Sequence, residues 1–133
     1  MFSFRVADKE RICYVTAVGR LTLQSCIEII DTGIKARNSK NKPGYSMLVD
    51  LRKVKYDLKA REIGYLSSYV ATKKKYSRGK IALVTTGYRN RLIVDMFCSG
   101  AARGGVSINS FSDMNNARKW LYKSVNIKSV AGK

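Results

Sequence analysis

The segment YSMLVDLRKVKYDLKA, Tyr45–Ala60, decides which class of fold the sequence predicts. Residues 45–51 form an apolar run with few polar breaks, which is typical of a strand covered on both faces in a parallel sheet. After a short turn, residues 58 or 59 to 76 have the periodicity of a helix, and its predicted inward face is Ile63, Leu66 and Val70. A buried strand followed by a helix is the repeating unit of α/β folds.

The alternation of strands and helices extends in both directions from this segment. Residues 2–7 and 12–18 are short β-type runs around the polar loop 8–11, which predicts a hairpin. Thr22 is a good N-cap for a helix that ends near Arg37. The remaining predicted elements are a strand at 80–85, a helix at 89–103, a strand at 106–111 and a last helix capped by Ser112 or Asp113.

Apolar spacings of three and four residues predict which faces of the other helices turn toward the core. These faces are Leu23, Cys26, Ile27, Ile30 and Ile34 in the first helix, Leu92, Ile93, Met96, Phe97 and Gly100 in the third, and Met114, Ala117, Trp120 and Leu121 in the last. Each helix therefore has one apolar face to pack on a sheet.

The order β-β-α-β-α-β-α-β-α predicts one α/β domain. Short connections between strands and helices call for right-handed crossovers and a mixed, mostly parallel sheet, in which only the N-terminal edge strand is antiparallel. A chain of 133 residues is long enough to bury one core. We assign residues 1–124 to a single domain and residues 125–133 to a frayed C-terminal tail.

The net charge predicts anionic partners. The chain has 26 Lys and Arg against nine Asp and Glu, a net charge of +17, and most of the excess lies in residues 35–80. Such a charge gives a positive potential over much of the surface. Lys73, Lys74 and Lys75 fit binding to the phosphates of nucleic acid or of an anionic lipid surface. Cations in the last turn of a helix also offset the helix dipole, which is the simpler interpretation of this run.

The residue types argue against catalysis. The chain has no His, which removes the commonest general base and imidazole-based metal sites. The carboxylates do not cluster in sequence, so we predict no catalytic residue, no metal and no cofactor. Cys13, Cys26 and Cys98 are widely spaced without a C-x-x-C pair, and we interpret them as reduced core residues of a cytosolic protein.

Neither secretion nor membrane insertion is predicted. Residues 1–10 carry four charged side chains and leave no room for the apolar stretch of a signal peptide. No segment approaches the roughly 18 apolar residues that a transmembrane helix needs. The predicted location is therefore cytoplasmic.

Four stretches carry a resemblance to a known family through their order and spacing. They are VGRLTLQSCIEII for the second strand and first helix, MLVDLRKV for the central strand, KIALVTTG for the next strand, and INSFSDMNNARKWL for the final strand and helix. Together they resemble the STAS domain family, named for sulphate transporters and anti-sigma-factor antagonists, and especially its small stand-alone branch. The resemblance covers residues 10–123 and implies a non-enzymatic regulatory module that docks another protein.

The resemblance also identifies a regulatory loop. Antagonists of this family have an Asp-Ser pair after the central strand, and a partner kinase phosphorylates the Ser. Aligned on LVDLRKVKYD, Asp57 occupies the Asp position, whereas Leu58 and Lys59 stand where the Ser would be. Neither side chain has a hydroxyl group. The resemblance therefore implies the position of the loop but not its phosphorylation.

We predict that two loops form one patch that accepts an anion or a partner. In parallel α/β folds the ends of the strands and the starts of the following helices gather at one edge, where ligands prefer to bind. The candidate residues are Lys55, Asp57, Leu58, Lys59 and Arg61 after the central strand, and Thr86, Arg89 and Arg91 after the next strand. The alternative interpretation is that these are ordinary solvated loop charges.

Three functions remain open at this point. The first is regulatory binding of another protein through the two loops. The second is binding of nucleic acid or an anionic membrane surface, driven by net charge, and the third is carriage of a small-molecule anion. Steep loss of binding with added salt favours the second, whereas a salt-tolerant complex with one defined protein favours the first.

Overall fold

The computed structural model describes residues 2–39, 44–73 and 79–131, and its strands and helices follow the predicted order. The strands are β1 (Phe2–Ala7), β2 (Ile12–Leu21), β3 (Ser46–Tyr56), β4 (Ile81–Val84) and β5 (Ile108–Phe111). The helices are α1 (Leu23–Ser39), α2 (Ala60–Thr72), α3 (Tyr88–Arg103) and α4 (Met114–Ala131). Lys74 and Lys75, which belong to the predicted basic run, lie outside the described residues.

The strands form one sheet in the order β1-β2-β3-β4-β5. β1 pairs antiparallel with β2, and every later pair is parallel. This arrangement confirms the predicted α/β fold with an antiparallel N-terminal edge strand. Because the strand order follows the chain order, each crossover joins two neighbouring strands.

The connections explain how the helices are distributed over the sheet. Right-handed crossovers that all proceed in one direction place their helices on the same face. Accordingly, α1, α2 and α3 pack on one face, where Val70, Val94 and Cys98 belong to the larger core cluster. α4 is the last element among the described residues, and its residues Ala117 and Leu121 pack on the opposite face. Both faces of the central strands are therefore covered.

β3 extends well beyond Leu51, where the sequence predicted its end. β4 stops at Val84, so the last residues of β3 pair only with β2, through one register shift. Val54 in this extension is buried and Lys55 is exposed. This alternation sustains a strand that is covered on one face. The β2–β3 extension, residues 18–21 and 51–56, carries the first candidate loop at its end.

The predicted inward face of α3 is confirmed at Ile93 and Phe97, which turn toward the core, and is wrong at Leu92 and Met96. The buried side chains are Val94, Cys98 and Ala101, whereas Leu92 and Met96 are 48% and 51% exposed. Residues 92–98 are apolar at nearly every position, so periodicity alone does not select a face, and packing on the sheet does. The predicted faces of α2 and α4 are confirmed.

Two predicted N-caps are confirmed by hydrogen bonds. The Thr22 hydroxyl accepts a bond from the Ser25 amide at 3.2 Å, and the Asp113 carboxylate accepts one from the Asn116 amide at 2.8 Å. α4 continues to Ala131 and includes most of the segment assigned to a tail, since neither Pro nor Gly interrupts it. The division of the chain at residue 124 stays a prediction.

Candidate functional site

The loop between β3 and α2, residues 57–59, lies at the end of the β2–β3 extension. The Asp57 amide donates to the Leu21 carbonyl at 2.9 Å, and the Arg20 guanidinium forms an ion pair with the Asp57 carboxylate. Both side chains are largely exposed, so the pair orients the loop more than it stabilises the fold. Lys55 lies in β3 rather than in the loop, because β3 is longer than predicted.

A carboxylate of the protein already offsets the positive end of the α2 dipole. The Lys59 amide donates to the Glu62 carboxylate at 2.8 Å, which places an anion at the positive end of the helix dipole. The Lys59 and Arg61 side chains are exposed. Neither forms an ion pair within the residues that the structure describes, so both add uncompensated positive charge to the surface.

The loop between β4 and α3 has a buried and an exposed threonine. Thr85 is completely buried, and its amide donates to the Phe111 carbonyl at 2.9 Å. Thr86 is exposed. Gly87 follows with a φ of 90°, and the first turn of α3 has neither an acidic residue nor a side-chain cap. The start of α3 therefore differs from that of α2, because no side chain of its first turn offsets the dipole.

The two arginines predicted at this loop differ in their partners. Arg89 is exposed, and no ion pair involves it in the described part of the chain. Arg91 forms an ion pair with Asp95, with 3.6 Å between its Nε and the carboxylate. Asp95 also accepts a bond from the Ser110 hydroxyl at 2.5 Å, which ties α3 to β5. Arg89 is thus the more available cation.

The two loops are connected through the protein interior. Tyr56 at the end of β3 and Thr85 at the end of β4 have neighbouring buried hydroxyl groups. Burial raises the pKa of Tyr56. Leu58 is half-buried and lines an apolar cavity together with Tyr56. Leu58 is the one candidate residue with a packing position inside the protein.

Across the surface, the structure describes no direct link between the two loops. α2 and α3 pack side by side, and the Ser67 hydroxyl donates to the Phe97 carbonyl at 3.0 Å. Among the described residues, no hydrogen bond or ion pair joins Lys59 or Arg61 to Arg89. A single patch built from both loops stays a prediction.

The sequence interpretation missed an exposed apolar row on the outer face of α3. Tyr88, Leu92 and Met96 are 84%, 48% and 51% exposed. Residues four apart lie on the same side of a helix, so the three side chains form one line, here called the α3 stripe. The spacing was visible in the sequence, but the helix was predicted to begin at Arg89, and Leu92 and Met96 were assigned to the core.

The acidic side chains are dispersed and serve local contacts. Asp31 accepts a bond from the Tyr69 hydroxyl at 2.6 Å. Glu10 accepts bonds from the Tyr14 and Tyr122 hydroxyls, and the bond from Tyr14 is the main reason that the pKa of Glu10 is lowered. Within residues 2–39, 44–73 and 79–131, no three His, Cys, Asp or Glu side chains are grouped as metal ligands.

Asp50 and Arg52 form a two-pronged ion pair in β3. Arg52 Nε and Nη2 lie 2.9 and 2.8 Å from the Asp50 carboxylate oxygens. These bonds lower the pKa of Asp50 below its ordinary value of 3.8. A carboxyl whose pKa is lower in the folded state stabilises the fold above its unfolded pKa, and this contribution disappears as the pH falls through the folded pKa.

We therefore expect the free energy of unfolding of Asp50→Asn to depend less on pH in acid than that of the wild type. Between about pH 5 and pH 2, the free energy of unfolding of the wild type should fall more steeply than that of the variant. The difference should stay below about 1 kcal/mol, because Arg52 is 43% exposed and water screens the pair. Urea titrations at a series of pH values measure it. Parallel profiles for the two proteins would contradict the prediction.

The strand order and the placement of the helices define a STAS-like fold, also described as SpoIIAA-like. The chain is similar to the crystal structure of an uncharacterized protein of the DUF3478 family from Shewanella loihica PV-4, which has a SpoIIAA-like fold. The TM-score is 0.59 at 15% identity, and the match covers 91% of this chain and 92% of the other. The predicted resemblance is thus confirmed for the fold. No protein-family model and no curated protein matches the chain.

The helices were also considered as membrane spans. None of the helices within the described residues combines the length and the apolar composition needed to cross a bilayer.

Proposed function

We propose that this protein is a non-enzymatic regulatory module that docks another protein, and that the partner presents an acidic surface. The observation that carries the proposal is the α3 stripe, an exposed apolar row on the helix that also carries the exposed Arg89. The similarity to a SpoIIAA-like fold supports a binding role by analogy of fold. The α3 stripe supports it from the chemistry of the surface.

The α3 stripe offers an apolar centre for an interface. Contiguous exposed apolar side chains mark interaction sites on soluble proteins. Aromatic residues and Met are enriched in the buried centres of interfaces, and Tyr is common among the residues that dominate binding energy. Tyr88, Leu92 and Met96 would be removed from water by a partner that covers the outer face of α3.

The exposed cations of the two loops favour an acidic partner. Lys59, Arg61 and Arg89 are exposed cations, and complementary charge at the rim of an interface speeds association and fixes orientation. The proposed docking surface combines the α3 stripe with the candidate residues of the two loops, Lys55, Asp57, Lys59, Arg61, Thr86, Arg89 and Arg91. A partner with a negative rim and an apolar centre would match this surface.

The proposed module has neither a catalytic role nor control by phosphorylation of the loop after β3. The chain has no His, and its carboxylates are occupied in separate local contacts. At the position where antagonists have their Ser, Leu58 and Lys59 have no hydroxyl group. We infer that phosphorylation at this position does not control docking.

A second candidate is binding of nucleic acid or an anionic lipid surface. The net charge of +17 supports it, as do the exposed Lys53 and Lys55 on the β2–β3 extension. Binding of this kind releases counterions, so affinity falls steeply with salt concentration. An apolar interface is much less sensitive to salt.

A pull-down with matched variants tests the docking proposal. The wild type, Leu92→Asp with Met96→Asp, and the control Val18→Asp are compared at moderate salt after nuclease treatment. Val18 is 38% exposed and lies in β2, outside the α3 stripe. We expect one acidic protein to be retained by the wild type and the control, and its affinity for the stripe variant to fall about tenfold or more. Equal retention by all three would refute the proposal.

The second candidate is tested by Lys59→Glu combined with Arg89→Glu. If the basic loops bind polyanions, this variant should lose affinity for heparin, nucleic acid and anionic vesicles, and the loss should shrink as salt is added. Unchanged affinity for all three would show that the two loops are not the polyanion site, and it would leave the α3 stripe untouched.

A further inference from the structure

An apolar cavity of about 130 Å³ lies between the sheet and the three helices on one face. Its walls include Val49, Leu83, Ile30, Ile34, Leu66 and Phe97. Close-packed protein interiors contain few voids larger than a water molecule. A space of this size among aliphatic and aromatic side chains is therefore a specific feature of this core.

α1 forms one side of the cavity. Near its C-terminal end, α1 approaches the sheet closely: a Cβ added at Gly33 would lie 3.2 Å from Met47 Cε. In the same region, Arg37 donates to the Tyr45 carbonyl at 3.0 Å. Toward the N-terminal end, Cys26 is only partly buried, and α1 packs less closely on α2 than α3 does. Cys26, Ile29 and Ile30 line the cavity in the N-terminal half of α1, and Ile34 lines it next to Gly33.

The lining of the cavity is apolar except for one hydroxyl group. Tyr56 carries the only hydroxyl group among the lining residues. The Tyr56 and Thr85 hydroxyls are both buried, and neither has a hydrogen-bond partner among the residues that the structure describes. Leaving a buried hydroxyl without a well-formed bond destabilises a protein. A bound molecule with a hydrogen-bonding group would remove this destabilisation by pairing with the hydroxyl.

We propose that the cavity binds a single-ring aromatic molecule that carries a hydroxyl group, the chemical class of phenol. An engineered apolar cavity of about 150 Å³ stays dry and binds benzene or xenon, so the volume found here suits one ring. The ring packs on the aliphatic walls, and its hydroxyl bonds to the Tyr56 hydroxyl. This inference goes beyond the docking function and does not rest on it, because the lining residues belong to the interior.

Methyl NMR of the full chain, labelled at isoleucine, tests the site with benzene and phenol as probes. The isoleucines that line the cavity are Ile29, Ile30, Ile34, Ile63, Ile81, Ile93 and Ile108. Ile12 is buried in the cluster on the opposite face of the sheet and serves as an internal control. We expect saturable shifts of the cavity methyls and an unchanged Ile12 signal. No shift at the solubility limit of benzene, or equal shifts at Ile12, would overturn the proposal.

Two kinds of variant test separately the hydrogen bond to Tyr56 and the location of the binding site. Tyr56→Phe should weaken phenol binding by up to about tenfold and leave benzene binding unchanged, since only phenol loses a hydrogen bond. Equal affinities of the two proteins for phenol would overturn the role of Tyr56. Val70→Phe, or Val94→Phe if the first does not fold, should fill the cavity and abolish binding of both probes. A folded filled variant that still binds them would place the site elsewhere.

Discussion

Gly79→Ala is expected to lower the free energy of unfolding by about 3 kcal/mol, because the added methyl overlaps backbone atoms of Tyr45 and Ser46. Its Cβ would lie 2.7 Å from the Tyr45 carbonyl carbon and 2.9 Å from the Ser46 nitrogen. The Tyr45 carbonyl also accepts a hydrogen bond from Arg37, whose side chain is completely buried. Displacing this carbonyl would therefore disturb a buried charge, which is strongly destabilising.

Gly44→Ala is the matched control for this prediction. Gly44 is close in sequence to the same strand start, but a Cβ there meets no atom within 4 Å. Its substitution should change stability by less than about 0.5 kcal/mol. Urea unfolding followed by circular dichroism and by the fluorescence of the only tryptophan, Trp120, compares the two. Equal stabilities would show that Gly79 and Tyr45 are not in contact.

A second pair of substitutions should change the free energy of unfolding in opposite directions, although both replace a glycine in a helix. At Gly100 in α3, an added Cβ would lie 2.6 Å from Ser67 Oγ and 2.7 Å from Ser67 Cβ. The Ser67 hydroxyl is held by bonds to the Ile63 and Phe97 carbonyls. We expect Gly100→Ala to push α2 away from α3 and to cost about 2 kcal/mol of stability.

Gly64→Ala supplies the comparison in α2, where the added methyl meets open space. A Gly-to-Ala change inside a helix reduces the entropy of the unfolded chain and stabilises by about 0.5–1 kcal/mol. Both variants gain the same helix propensity, so the difference between them isolates the contact with Ser67. Thermal unfolding of the two proteins measures this difference. Stabilisation by both changes would mean that α2 and α3 are farther apart than described.

The order of the strands was predictable, whereas the length of β3 was not. Residues 45–51 carry an apolar signal that needs no tertiary information. Beyond them, Val54 and Tyr56 turn inward between charged residues, and the strand continues only because β2 pairs with it through a register shift. Such a pairing joins residues far apart in sequence, so local patterns do not reveal it. The charged residues were therefore assigned to a loop.

In the candidate site too, features that depend on local sequence were predictable, whereas features that depend on tertiary contacts were not. Lys59 and Arg89 were predicted as surface cations after strand ends, and both are exposed. The ion pair of Asp57 with Arg20 joins residues 37 positions apart and has no local signature. The outward direction of Leu92 and Met96 depends on how α3 packs against the sheet. Faces of uniformly apolar helices are decided by packing rather than by pattern.

The sequential strand order has a consequence for how the chain acquires its structure. Every β-pairing joins strands that are consecutive along the chain, so each strand can pair with one that has already been made. The β1–β2 hairpin can form first, and each later strand then joins the growing edge together with its helix. During synthesis on the ribosome, the edge of β3 stays open until β4 emerges. An open edge of this kind is prone to aggregate, so a nascent chain is exposed to aggregation during this interval.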